Sequence, residues 1–194
     1  MLFSRNLLFA CLFITILFSA CAKKKQRDVR KLNWYEVVTD ARGKNIRVLM
    51  PANEISNWTT IFSAAETRLK AQSVQVKFSA CETANINDSL ANSLASLVMI
   101  GGAELDQALK NGYLHGPFDR LLPISKKINT DSDAFRNSNG VSTQGFAVPI
   151  RARANEKFFA IPHHAESQAA ALLILETLLE LQIEADSSVE ESIK

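Results

Sequence analysis

Apolar residues fall in short blocks along this chain, and their spacing changes from block to block. Residues 33–40 (NWYEVVTD) predict a short helix packing Trp34, Val37 and Val38, followed by a turn at Ala41-Arg42-Gly43-Lys44. Residues 46–50 are compact, apolar and partly β-branched, and are closed by Pro51, which predicts a strand. A helix over 56–72 places Ile55, Trp58, Ile61, Phe62, Ala65 and Leu69 on one face. Val74, Val76 and Phe78 alternate with polar residues and suit an edge strand. Residues 84–96 predict a helix carrying Leu90, Leu94 and Leu97. Residues 97–100 are wholly apolar, as in a strand buried on both faces, and stop at Gly101-Gly102. A helix over 104–111 turns Leu105, Ala108 and Leu109 inward, with Gly112 where a left-handed cap belongs.

Beyond Pro117 the pattern thins. Residues 123–133 hold one helical turn, and 137–143 (NSNGVST) are rich in turn formers. Residues 146–150 read as a strand that Pro149 confines to an edge. Residues 158–161 form a second short strand before Pro162. Residues 167–183 make the strongest helix, with Ala169, Leu172, Leu173, Leu175, Leu178, Leu179 and Leu181 spread around most of its circumference. From Asp186 the chain is polar and is expected to fray. Strands alternating with helices at short spacing predict an α/β fold. The expected fold is a single doubly wound lobe, mainly parallel, with helices on both faces and strand order second, first, third.

The first 21 residues change the setting. Arg5 precedes an apolar run over 7–18 broken only by Thr15, and Ser19-Ala20 lead to Cys21. This order predicts a secretory signal. It resembles the signals of bacterial lipoproteins, which are cleaved before the cysteine and acylated on it with chains such as palmitate. Phe18 departs from the leucine usual at that place. The run is shorter than the roughly 20 residues that span a bilayer, which argues against a transmembrane anchor. Removing the first 20 of 194 residues leaves 174, enough for one domain with its own core. The expected division is signal 1–20, lipidated basic tether 21–32, lobe 33–185 and polar tail 186–194.

Charge is uneven. Lys23, Lys24, Lys25, Arg27, Arg30 and Lys31 crowd the tether against Asp28 alone, while residues 32–194 hold 15 basic and 19 acidic side chains. A basic run beside a lipid anchor favours anionic headgroups, and it equally serves as a solvated spacer. Cys11 leaves with the signal and Cys21 carries lipid, so Cys81 has no partner for a disulfide. Without a catalytic histidine motif it reads as a small, partly buried residue.

Chemical motifs are sparse. Gly101-Gly102 lacks the following Lys-Ser/Thr of a nucleotide loop. Adjacent His163 and His164 point apart on either a strand or a helix and make a poor chelate, with His115 distant. No nucleophile elbow, carboxylate pair or zinc motif is present, so neither an enzyme, a metal nor a cofactor is expected.

Several strings resemble the two-lobed solute-binding proteins of ABC importers. NWYEVVTDARGKNIRVLMPANE is similar to their opening helix, first strand and following loop, and LVMIGGAELDQALKNGYL to the third strand and next helix. VSTQGFAVPI is similar to the exit from the first lobe. EKFFAIPHHAESQAAALLILETLLE is similar to the late strand and the helix packing back on it. The family inserts a second lobe between those last two segments; here only residues 151–157 join them, and the final helix runs on as LLELQIEAD without Ser-Pro.

The resemblance implies a first lobe standing alone. Ligands of doubly wound sheets sit outside the carboxyl ends of strands. Residues 51–54, 101–104 and 143–145 are expected to form one such rim, with Asn53, Glu54, Gly101, Gly102, Glu104, Thr143 and Gln144 as candidate ligand-binding residues. The expected function is a membrane-anchored extracytoplasmic protein that binds a small solute weakly or through pairing with another lobe. The alternative is an interaction lipoprotein or truncated paralogue that has lost solute binding. The implied partners are a membrane through lipid on Cys21, a small solute, and an ABC-importer permease or other envelope protein, with no nucleic acid. Lipoproteins like those of enteric bacteria are held at the inner membrane by Asp after the acylated cysteine; Ala22 stands there instead, so the resemblance implies the periplasmic side of a bacterial membrane and leans toward the outer one.

Overall fold

A computed structural model of the protein describes residues 27–81, 86–92, 95–126, 143, 145–150 and 157–191. The signal, Cys21, Lys23 to Lys25, Gln144, residues 127–142 and the side chain of Cys81 lie outside the described set.

A capping box starts the first helix, α1 (Trp34–Ala41). The Glu36 N–H donates to Asn33 Oδ1 at 3.0 Å, and the Asn33 N–H donates to Glu36 Oε2 at 3.0 Å. The turn after it leads into β1 (Asn45–Pro51). Helix α2 (Ala52–Lys70) then starts directly off Pro51, four residues earlier than the apolar spacing predicts. Strand β2 (Gln75–Cys81) outlasts the alternating stretch that announces it. Helix α3 (Ile86–Ala91) ends before the predicted Ser96, whose N–H is already donated to the Arg47 carbonyl at 2.9 Å and commits the chain to the sheet; residues 84–85 and Leu94 lie outside the described set. Strand β3 (Leu97–Gly101) passes without a loop into α4 (Gly102–Lys110), and Gly112 takes a positive φ of 67° just past its end.

The later elements complete the sheet. Strand β4 (Ala147–Ile150) and β5 (Lys157–Ala160) precede α5 (Gln168–Glu191). No Gly or Pro follows Asp186, and the α5 backbone continues helical to Glu191 instead of fraying. The strand order is β2-β1-β3-β5-β4. Strand β1 pairs parallel with β2 and β3, and β5 pairs antiparallel with β3 and β4. Four strands therefore share one direction and β5 opposes them. The predicted order of the first three strands is met. Pro149 lies in an edge strand, where its missing N–H breaks no interior ladder.

Alternate residues of the strands feed two cores. Ile46, Val48, Met50, Leu97, Met99 and Phe159 face Trp58, Phe62, Ala65 and Leu69 of α2 and the buried stretch of α5. Trp58 and Phe159 meet edge to face, 5.4 Å between ring centres. Leu49, Val98, Ile100, Phe158 and Ala160 face Ile86 and Leu90 of α3 and Leu105 and Ala108 of α4. Helix α1 packs on α5, to which Glu176 also ties the 3-10 turn Pro123–Lys126 by accepting the Ile124 N–H at 2.8 Å.

The basic segment also meets the body. Val29 is 1% exposed, in the larger core. Arg27 pairs with Glu36 and Asp40 of α1 at 3.2 and 2.6 Å, and Arg30 pairs with Asp28 at 2.8 Å. From Arg27 onward the segment expected as tether is docked rather than free.

Candidate functional site at the carboxyl edge of the sheet

Helices α2 and α4 leave the sheet on opposite faces, one in each core. Their parent strands β1 and β3 are neighbours. The chain therefore diverges at the carboxyl ends of β1 and β3 and opens a crevice there, the switch point at which open α/β sheets place ligands.

Local geometry at the crevice is similar on both sides. Pro51 is the N-cap of α2 and Gly101 the N-cap of α4, and neither gives a side-chain hydrogen bond to its helix. The first N–H groups of both helices lack intrahelical acceptors by construction, so both helix starts present donors and partial positive charge to this rim. Glu54 and Glu104 each lie in the first turn of their helix. Asn53 is exposed, and Glu54, Gly101, Gly102 and Glu104 are half-buried. The expected loops 51–54 and 101–104 are thus strand ends followed by first helical turns.

The two glycines differ from ordinary turn glycines. Gly101 has φ −85°, and a Cβ there would meet only the flexible Glu104 carboxylate, at 2.5 Å. Gly102 has nothing within 4 Å of the place a Cβ would take. Neither has a positive φ. Backbone sterics do not demand glycine at Gly102, whereas open space at a helix start is what a close-approaching ligand uses.

The remaining expected rim residues lie elsewhere. Strand β4 runs in the direction of β1 and β3, so Thr143 and Gly145, which precede it, sit at the amino edge of the sheet. Thr143 is 1% exposed and its Oγ1 has no hydrogen-bond partner among the described residues. Gln144 lies outside the described set, between those two. The single-rim expectation is corrected accordingly: reading 143–145 as a strand end mistook the entry to β4 for its exit. The residue the sequence reading missed is Lys157. It opens the antiparallel β5, pairs in register with Gly101 and Ile150, and so reaches the carboxyl edge. Only the antiparallel sense of β5 reveals it, and the local sequence carries no sign of that sense.

The amino edge is closed by backbone bonds. The His115 N–H donates to Ile161 O at 2.7 Å, the His163 N–H to Tyr113 O at 2.7 Å and the Phe118 N–H to Gly145 O at 2.8 Å. A Cβ on Gly116 would lie 2.7 Å from Phe146 Cδ1 and 3.1 Å from its Cα. His115 is 5% exposed and its Nε2 has no partner among the described residues. Burial, reinforced by the Arg30 charge, pushes its pKa down to about 4. The side-chain hydrogen bond from Arg30 holds the Asp28 carboxyl down at about 2. His163 and His164 occupy a turn and not a regular element, so their rings approach edge to face at 4.8 Å instead of diverging. Among the described residues, no three metal-ligating side chains cluster, and no helix is long and apolar enough to cross a membrane.

No family model and no curated protein matches the chain. Two solved structures are similar to parts of it. One is the maltose-binding periplasmic protein MalE from Listeria monocytogenes, in complex with maltose. It is 17% identical over 38% of this chain and 20% of its own, with a TM-score of 0.32. The other is the bacterial solute receptor AcbH, characterised as preferring b-D-galactopyranose. It is 19% identical over 58% of this chain and 29% of its own, with a TM-score of 0.41. The chain thus spans less than a third of the length of either solute-binding protein, and neither likeness assigns a ligand or a residue role to it.

Proposed function

We propose that the chain is an extracytoplasmic protein, anchored by lipid on Cys21, whose single lobe offers a small-solute rim at the carboxyl ends of β1 and β3. The observation that carries this reading is the switch-point crevice, onto which α2 and α4 open from opposite faces with no side-chain N-cap. Backbone donors there suit the oxygens of a small polar solute, with Asn53, Glu54, Glu104 and Lys157 around them. Only residues 151–156 lie between β4 and β5, so enclosure of the solute needs a second lobe or a second copy. An ABC-importer permease is the transport partner this reading implies.

That same short connection favours the second reading, an interaction lipoprotein whose rim meets a protein partner. Native mass spectrometry of the full protein, extracted from membranes in mild detergent, separates the two. A co-purified small molecule lost on Glu54→Ala supports the solute rim. An unliganded protein with no thermal shift across a panel of sugars, amino acids and peptides sinks it.

A further inference from the structure

Few residues separate the proposed lipid anchor at Cys21 from the folded body. Arg27 clamps Glu36 and Asp40, two side chains one turn apart on α1, and so lays the incoming chain against that helix. Cys21 precedes Arg27 by six residues, which span at most about 22 Å when fully extended. If Cys21 carries lipid, α1 is held beside the bilayer surface.

The outward side of α1 suits that position. Val37 and Ala41 face the core, while Tyr35, Thr39 and Arg42 form an exposed stripe at helical spacing. Tyr35 is 77% exposed, an amphipathic ring of the kind that settles at headgroup depth. Lys31 and Lys44 are exposed at either end of the helix. The acidic side chains nearby, Asp28, Glu36 and Asp40, are each held by an arginine. Residues 22–45 carry eight basic and three acidic side chains, against thirteen and seventeen from Ile46 onward. An anionic surface therefore attracts this end of the molecule and repels the rest.

We propose that the Tyr35–Arg42 face of α1, flanked by Lys31 and Lys44, docks on the anionic bilayer that holds the anchor. The inference rests on lipidation of Cys21 for its geometry. The α1–β1 turn lies at the amino end of β1, so the rim beyond Pro51 stands one seven-residue strand, about 23 Å, from that turn.

The test uses the full protein matured in cells and reconstituted into vesicles of phosphatidylcholine, alone or mixed with phosphatidylglycerol, with brominated acyl chains as quenchers of Trp34. Docking predicts quenching that grows with phosphatidylglycerol, falls with salt and disappears in Trp34→Phe. Tyr35→Ser lowers it, and Lys31→Ser or Arg42→Ser each reduce the docked-to-undocked ratio roughly fivefold. Tyr35→Trp preserves it. All three positions are exposed, so these variants keep the fold. Acylated protein whose emission ignores phosphatidylglycerol, or is equally quenched in the variants, overturns docking. Intact mass decides the anchor separately. An unacylated chain that still floats with phosphatidylglycerol vesicles upholds docking and sinks the lipid reading, and one that does not float sinks both.

Discussion

At the amino edge of the sheet His115, Gly116 and Thr143 are buried and three short backbone bonds lock the connections, whereas at the carboxyl edge Asn53 is exposed and Gly102 faces open space. The two edges belong to the same five strands. Packing at the amino edge accounts for Gly116, and it leaves two buried polar atoms, His115 Nε2 and Thr143 Oγ1, without partners among the described residues. At the carboxyl edge packing leaves two helix starts and a glycine unexplained.

The largest expected effect breaks the amino edge by pH. His115 is kept neutral by burial and by Arg30, with His163 acting in the same sense and Asp28 opposing. Its folded pKa lies below the unfolded value near 6.5, so the unfolded chain takes up the proton first. Stability from this group is complete above pH 6.5 and is lost as pH falls toward 4, at most about 3 kcal/mol. Urea unfolding at pH 7.5 and 4.5 should show the loss, and His115→Asn should flatten that part of it. An unchanged pH dependence in the variant would remove His115 from the account.

Next comes Gly116→Ala. The added methyl meets the Phe146 backbone as well as its ring, so relief by side-chain rotation is incomplete. A loss of about 1–3 kcal/mol is expected in denaturant midpoints at constant m. Asn33→Ala follows, at about 1 kcal/mol, because it removes one arm of the α1 capping box. It acts away from both edges and calibrates the other two values.

The contrast between the edges also explains what the sequence made legible. Runs such as 97–100 and 169–175 are apolar without interruption because both faces are covered, and they revealed β3 and α5 directly. The edge positions of β2 and β4 were readable from alternation and from Pro149. Two of the three rim segments were readable as strand exits. The third failed because 143–145 enter β4, which runs with β1 and β3, and do not leave it; Lys157 was missed because β5 runs antiparallel, a sense set by pairing with β3 residues 56 to 62 positions away and not by local pattern. The pocket around Gly116 and His115 was illegible for the same reason, since Phe146 and Ile161 meet it only through the fold. The docking of Val29 and Arg27 was hidden by a charge run that resembles any solvated tether.

The smallest effect is the sharpest test of the comparison, because its sign differs between edges. Gly102→Ala meets no atom within 4 Å and needs no positive φ. Replacing glycine where the backbone is already compatible reduces the freedom of the unfolded chain, so a gain of about 0.4–1 kcal/mol is expected. The same methyl occupies open space at the start of α4 and is expected to weaken any solute held on its N–H groups. A protein that becomes slightly more stable while losing its co-purified small molecule would show that glycine is kept at the rim at the expense of stability. If Gly102→Ala destabilises as Gly116→Ala does, the carboxyl edge is packed like the amino edge and the crevice is not a binding rim. If it stabilises and the solute is retained, the rim is open but the solute sits elsewhere, and Asn53 and Lys157 become the next residues to change.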